Sequence, residues 1–321
     1  MNEPLRENAP PVPRGLENTA SLLRLLSLPE LTTNAIVEIA GRFASWDEFV
    51  NADPATIPGR STLKAKALLE RARNAAEPVL PDGVRALSKY DPEWPAWLSL
   101  TERPPLLVFV RGTLPDGDRV AIVGTRRPSS FGVTATRLAV DAARERGLGV
   151  VSGLARGVDT LAHHHALISG LPTWAVLGSG VDVPTPKENA GLAARILDAG
   201  GGLLSEQLPG SAPSAGALIA RNRLQVAAAR YVIISQCGIP SGTLHTARFA
   251  LLAGKPLFVA RPTRPEDAEN QMSAGNLALL DPEGFDPSVL TTDAKTAQLL
   301  AERRHRISAF TSTEELAEKL P

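Results

Sequence analysis

Six short apolar runs alternate with amphipathic segments between residues 106 and 260, and this alternation constrains the fold most strongly. The runs are LLVFV, VAIVG, LGVVSG, TWAVLG, YVIIS and PLFVA. Val- and Ile-rich runs of this length are typical of strands that are covered on both faces. The intervening segments, such as FGVTATRLAVDAARERG and GTLHTARFALLAGK, have the apolar spacing of helices. The pattern predicts an α/β domain with an extended Rossmann-like, doubly wound and mostly parallel sheet.

The chain before and after these runs has a different character. Residues 1–15 are rich in proline and charge, so we expect a disordered leader. Residues 16–78 have apolar positions three or four apart, which predicts a small helical domain of the SAM-like or helix-hairpin-helix-like type. This pattern fits a bundle that contacts DNA and equally one that serves only protein contacts. We assign residues 79–282 to the Rossmann-like domain and 283–321 to a helical or disordered tail with no winged-helix domain.

Charge and cysteine content exclude several classes of protein. Lys plus Arg and Asp plus Glu both total 34, so the formal net charge is zero and any site for a polyanion must be local. Cys237 is the single cysteine, which excludes an internal disulfide and fits a reducing compartment. The sequence contains no apolar run of about 18 residues, so we expect a cytoplasmic protein without membrane contact.

Small residues and cations follow several of the predicted strands. In a doubly wound sheet, ligands bind at the carboxyl ends of strands, where loops lead into helix N-termini. Glycine lets a ligand approach the backbone, and free N–H groups and arginines bind anions. Such loops follow the strands predicted at VAIV, GVV and YVIIS, and the loop GSGVD after TWAVL has the same small residues. We expect these loops to form one phosphate or phosphodiester site. Its candidate residues are Gly124, Thr125, Arg126, Arg127, Ser152, Gly153, Arg156, Ser241, Gly242 and Thr243.

Two further groups of residues call for an explanation. Arg221, Asn222 and Arg223 stand at a predicted helix start, where the helix dipole disfavours cations, so we expect an anionic partner; solvated arginines are the alternative. Three consecutive histidines point about 100° apart on a helix and cannot share a metal ion, so we expect no metal site. Asp159 and His163 are four residues apart, and we expect a hydrogen bond between them.

Six motifs of the chain together resemble the DNA-processing proteins of the DprA/Smf family. They are VAIVGTRRPSSFG, VVSGLARGVDTLAHHHAL, TWAVLGSGVD, GGLLSEQLPG, RNR and SGTLHTARFA. The resemblance implies a homodimer that binds single-stranded DNA and loads a RecA-type recombinase on it during natural transformation in competence. It implies DNA recombination without chemical catalysis and without a cofactor. It also adds Lys187, Arg221, Asn222 and Arg223 to the residues expected to contact the DNA backbone.

The chain departs from this family at three positions. Gln236 stands where the family often has a carboxylate, Arg261 where it usually has Pro-Gly, and the tyrosine of its Tyr-Pro pair is missing before Lys187. The alternative function is a nucleotide-binding sensor or a phosphoribohydrolase-like enzyme that uses the same pocket. Such hydrolases place a glutamate after the glycine-rich turn. This chain has Leu244-His245-Thr246 there, so we expect no enzyme.

Overall fold

The computed structural model describes residues 14–281 and 284–320. These residues form two compact units. The first contains the described residues up to Ser99 together with Pro104–Phe109, and the second contains Leu100–Arg103 and the described residues from Val110 onward. Most of the predicted leader therefore lies outside the described residues. None of the described helices is long and apolar enough to cross a membrane.

The first unit is mainly helical. Polar residues cap its helices: the Asn18 side chain accepts a hydrogen bond from Ser21 N–H, and Ser45 accepts one from Glu48 N–H. Leu25, Ile39 and Phe49 are fully buried in its core. Strand β2 (Leu107–Gly112) begins in the first unit and ends in the second. The elements are α1 (Thr19–Leu26), α2 (Thr33–Arg42), α3 (Trp46–Val50), α4 (Thr62–Asn74), β1 (Val84–Ser88), α5 (Ala96–Ser99) and β2 (Leu107–Gly112).

The second unit alternates strands and helices along most of its length. Its elements are β3 (Arg119–Val123), α6 (Ser130–Glu145), β4 (Gly149–Ser152), α7 (Val158–Ile168), β5 (Thr173–Leu177), α8 (Ala190–Asp198), β6 (Gly202–Ser205), α9 (Ala215–Ala220), α10 (Asn222–Ala228), β7 (Tyr231–Ile234), α11 (Gly242–Leu252), β8 (Leu257–Ala260), α12 (Pro265–Ala268), α13 (Ala274–Leu280), α14 (Ala294–Glu302), β9 (Ile307–Phe310) and α15 (Thr313–Lys319).

The seven strands from β3 to β9 pair in the order β6-β5-β4-β3-β7-β8-β9, and every neighbouring pair is parallel. The chain builds outward from β3 in one direction and from β7 in the other. The two halves meet where β3 pairs with β7, with Val120 opposite Tyr231. This topology confirms the predicted doubly wound Rossmann-like sheet. It also places a topological switch point, where such folds bind ligands, between β3 and β7.

Helices cover both faces of this sheet, which explains the uninterrupted apolar runs. Val120 and Ile122 belong to a core that includes residues of α6, α7 and α15. Ala121 and Val123 belong to a second core that includes residues of α11 and α13. Alternate side chains of one strand are therefore buried on opposite faces, as the pleat of a strand requires.

The C-terminal segment differs from the expected helical or disordered tail. It contains β9, which pairs in parallel with β8 and places Ala260 opposite Phe310. Only the two end residues of β9, Ile307 and Phe310, are buried, whereas Ser308 and Ala309 are partly exposed. An edge strand of four residues with two buried side chains lacks the apolar run that marks a central strand. The sequence pattern therefore did not show it.

Candidate functional site

A cleft of about 570 Å³ opens at the switch point between β3 and β7. Its lining comes from the loop after β3, the start of α7, the α9–α10 segment and the loop before α11. The structure thus brings three of the predicted loops together at one edge of the sheet. Nine candidate residues line the cleft: Gly124, Thr125, Arg126, Arg127, Arg221, Asn222, Ser241, Gly242 and Thr243. Five others do not belong to the lining: Ser152, Gly153, Arg156, Lys187 and Arg223.

Arg126 and Arg127 form the cationic mouth of the cleft. Both side chains are exposed, and neither forms an ion pair with any described residue. The loop that carries them is fixed by its backbone, because Thr125 N–H donates to the Gln236 carbonyl at 2.7 Å and Arg127 N–H donates to Thr125 Oγ1 at 3.2 Å. The two guanidinium groups are therefore free to bind an anion while their backbone stays in place.

Gln236 stands where a carboxylate was expected, and its amide makes hydrogen bonds that an ionised carboxylate could not make. Its side chain is fully buried beside the start of α6. The amide oxygen accepts from Ser129 N–H at 2.9 Å, and the amide nitrogen donates to Ser129 Oγ at 2.9 Å and Ser273 Oγ at 3.0 Å. An amide both donates and accepts here, whereas an ionised carboxylate can only accept. The glutamine therefore anchors the loop without placing a negative charge beneath the two arginines.

Arg221 forms part of the floor of the cleft. It is 7% exposed, and Nη1 donates to the Val176 carbonyl at 2.9 Å. Nη2 lies 3.5 Å from Oδ2 of Asp159, whose side chain is also buried. Burial lowers the pKa of Arg221 and raises the pKa of Asp159, and the attraction between the two opposes both shifts. The pair gives the floor a fixed cation with a matching buried anion.

Ser152 and Gly153 support this floor and do not line the cleft. Ser152 Oγ donates to the Ile122 carbonyl at 2.7 Å, which ties β4 to β3. A Cβ atom added to Gly153 would lie 1.4 Å from Nη1 of Arg221. The glycine is required here because the guanidinium group occupies the space of a side chain.

Arg223 and Asn222 are also held by neighbouring groups. Arg223 donates to both carboxylate oxygens of Glu206, at 2.5 and 2.6 Å, and its Nε donates to the Arg103 carbonyl. Asn222 Nδ2 donates to the Gly242 carbonyl at 3.3 Å, which links the starts of α10 and α11. Both arginines of this motif thus have carboxylate partners within the protein, and the alternative of solvated side chains does not apply.

His163 does not bond to Asp159, so that prediction was wrong. The two side chains point to different partners: Asp159 accepts from Ala155 N–H at 3.3 Å, and His163 Nδ1 lies 2.7 Å from Thr173 Oγ1. Because Thr173 Oγ1 donates to the Val150 carbonyl, it accepts from Nδ1–H of the histidine. Burial lowers the pKa of His163 to about 3. A four-residue spacing shows that two side chains can meet, but here Asp159 bonds to a nearby backbone N–H and His163 bonds to Thr173 of β5.

Sequence reasoning missed the apolar part of the lining. Leu218, Ile219, Pro240 and Met272 all face the cleft. Ile219 is 39% exposed, so part of its side chain is open to a ligand. The sequence signal for this apolar surface is the segment AGALIA, now helix α9, which directly precedes the RNR motif. The remaining candidate loop, GSGVD, packs beneath α9, where a Cβ atom added to Gly178 would lie 2.9 Å from Leu218 Cδ2.

Comparisons with known proteins agree with this architecture. The family model of DNA recombination-mediator protein A matches residues 85–293. Protein Smf of Escherichia coli is 33% identical over 250 residues, which cover 75% of this chain and 66% of that protein. DNA processing protein DprA of Streptococcus pneumoniae is 36% identical over 178 residues, which cover 54% of this chain and 61% of that protein. The chain thus spans a little under two thirds of the length of these curated relatives.

Two solved structures share the fold. The crystal structure of DNA processing protein A from Streptococcus pneumoniae matches with a TM-score of 0.67 at 23% identity and covers 95% of this chain and 98% of that one. A structure of the Helicobacter pylori protein, described for its single-stranded DNA binding mode, matches with a TM-score of 0.56 at 26% identity and covers 74% and 95%. By its matched residues and its fold, this chain belongs to the DNA recombination-mediator protein A family, the DprA/Smf proteins.

Proposed function

We propose that this protein binds single-stranded DNA in the cleft between β3 and β7. The observation that carries the proposal is that Arg126 and Arg127 are exposed at the mouth without a carboxylate partner among the described residues. Arg221, the other lining arginine, is paired with Asp159. Two unpaired guanidinium groups beside the cleft are suited to phosphate oxygens. The related Helicobacter pylori protein is described by its binding of single-stranded DNA.

Backbone amides complement these arginines. Helix α6 begins at Ser130, and its N-cap residue Ser129 makes no side-chain capping hydrogen bond, whereas Val158 N–H and Thr160 N–H at the start of α7 already donate to backbone carbonyls. First-turn N–H groups of a helix bind anions when no side chain satisfies them. Such contacts recognise the sugar-phosphate backbone, so binding depends on salt and little on base sequence.

The apolar part of the lining favours a single strand over a duplex. Leu218, Ile219, Pro240 and Met272 offer aliphatic surface next to the cations. The bases of a single strand expose apolar faces that can contact such surface, whereas in a duplex those faces are stacked. The proposed substrate is therefore a single strand held by its phosphates at the arginines and by its bases at these side chains.

We propose that the bound strand is then passed to a RecA-type recombinase and that the protein acts in the cytoplasm as a homodimer, in natural transformation or related recombination. Family membership supports this role. A direct test measures strand exchange by the recombinase on DNA covered with single-strand binding protein. We expect faster exchange with this protein present and no acceleration with Arg126→Ala. Sedimentation in the absence of DNA tests the dimer.

Binding to labelled oligo-dT tests the cleft itself. We expect Arg126→Ala to weaken binding about tenfold, because a charge-assisted contact to phosphate is lost. Arg144→Ala is the matched control, since Arg144 is an exposed arginine in the last turn of α6, at the other end of the sheet. Equal affinities of wild type and Arg126→Ala would place the DNA elsewhere.

The same preparation tests the alternative function, a nucleotide sensor or hydrolase. The turn after β7 supplies no carboxylate to the cleft. Of Leu244, His245 and Thr246, which stand where the related hydrolases have their glutamate, Thr246 lines the cleft. Asp159, the acidic residue of the lining, is engaged by Arg221 and by Ala155 N–H. We therefore expect no release of base or phosphate from nucleoside monophosphates. Turnover without DNA binding would favour the enzyme.

A further inference from the structure

Arg156 lies in the loop between β4 and α7 and is held there by an acidic residue. Its Nε donates to a carboxylate oxygen of Glu188, in the 3-10 turn Lys187–Asn189 before α8. The side chains are 65% and 50% exposed, so a ligand in solution can reach both. This hydrogen bond raises the pKa of Arg156, and it lowers the pKa of Glu188. Both groups are therefore charged at neutral pH.

The loop that carries Arg156 is attached to the loop of the cationic mouth. Gly157 has a φ of +76°, and an added Cβ atom would lie 2.4 Å from the Thr125 carbonyl oxygen. Val158 N–H donates to that same carbonyl at 3.1 Å. Because Thr125 directly precedes Arg126, these contacts hold Arg156 on the same edge of the sheet as the mouth.

The turn that carries Glu188 is fixed as well. Asn189 is 6% exposed, and its Nδ2 donates to the Leu154 carbonyl and to Thr160 Oγ1, both at 2.8 Å. Leu154 is fully buried and has a φ of +60°, a conformation that persists only where surrounding contacts impose it. Two anchored backbone segments therefore hold Arg156 and Glu188 within reach of each other.

We infer that the Glu188 carboxylate competes with a DNA phosphate for Arg156 and thereby lowers the affinity for single-stranded DNA. The inference rests on the proposed function. A phosphate that reaches Arg156 must displace the carboxylate of Glu188, and it also meets that negative charge. Exposed ion pairs are weak, so the displacement lowers affinity by about fivefold at most. Arg156 thus contributes little to binding while Glu188 is present.

A double-mutant cycle tests this competition. Glu188→Gln keeps the size of the side chain and removes its charge. We expect it to tighten binding of oligo-dT about two- to fivefold and to steepen the salt dependence by about 0.7, the slope of one phosphate contact on a single strand. Arg156→Ala should weaken binding less than about twofold in the wild-type background, but about fivefold in the Glu188→Gln background.

Glu145→Gln is the matched control, because Glu145 is an exposed residue at the last position of α6. It removes the same charge away from the cleft and should leave affinity unchanged. An equal cost of Arg156→Ala in both backgrounds would overturn the competition. If Arg126→Ala still weakens binding in that case, the proposed function stands and only the role of Glu188 falls.

Discussion

At the scale of single residues, the site depends on atoms that never reach the surface. Gly153 was predicted as a phosphate ligand, yet its position is explained by the guanidinium group of Arg221 lying where a side chain would be. Likewise, Arg223 was predicted to bind DNA but is occupied by Glu206. The sequence predicted loops that the structure brings together at one cleft. It could not show which cations are paired inside the protein, because their partners are distant in sequence.

Adding one methyl group at Gly153 should therefore destabilise the protein. We expect Gly153→Ala to lower the free energy of unfolding by about 1–3 kcal/mol, the usual cost of overpacking a filled site. Gly191→Ala is the control, because Gly191 lies within α8 and an added Cβ meets nothing within 4 Å. That substitution should be neutral or stabilising. Urea denaturation distinguishes the two, and equal stability of both variants would contradict the tight contact with Arg221.

The buried His163 makes stability depend on pH. Its pKa is about 3 in the folded protein, against about 6.5 for an unperturbed histidine, so the unfolded chain binds more protons between these two pH values. Stability is therefore complete above pH 6.5 and decreases as the pH falls toward 3. At pH 5 the loss from this group is about 2 kcal/mol. Urea denaturation at pH 7 and pH 5 should show a smaller loss for His163→Gln, and an equal loss would contradict the assignment.

At the scale of elements, the sequence predicted the strands from β2 to β5 and the strands β7 and β8, but not β6 and β9. Buried strands such as β3 and β5 form continuous apolar runs, because helices cover both of their faces. The strand β9 is an edge strand with two partly exposed residues, so it lacks the continuous apolar run that marks a strand covered on both faces. The tertiary pairing of β9 with β8 determines its structure.

The edge strand β9 should contribute strongly to stability although its sequence signal is weak. Phe310 is 1% exposed and belongs to the core beside α6 and α15. We expect Phe310→Ala to lower the free energy of unfolding by about 3–5 kcal/mol. Ile168→Ala, at an exposed position at the end of α7, is the control and should change it by less than about 1 kcal/mol. If both variants unfold at the same urea concentration, the tail is not part of the core.

At the scale of the whole molecule, the proposed DNA binding by a chain of zero net charge requires a local arrangement of charges. The parallel topology provides that arrangement, because it places the ends of β3, β4 and β7 on one edge. Carboxylates neutralise Arg156, Arg221 and Arg223 nearby. The fold class and the edge of the sheet could thus be predicted from sequence. The sequence could not show which arginines at this edge are paired with carboxylates and which are unpaired.

The salt dependence of binding tests this arrangement most directly. Oligo-dT affinity is measured by fluorescence anisotropy between 50 and 200 mM salt, a range of about fourfold that separates phosphate contacts. Replacing Arg126 and Arg127 together with alanine should reduce the slope of log affinity against log salt by about 1.4, or about 0.7 for each lost contact. An unchanged slope, with wild-type affinity throughout, would show that DNA phosphates do not bind at the mouth of the cleft.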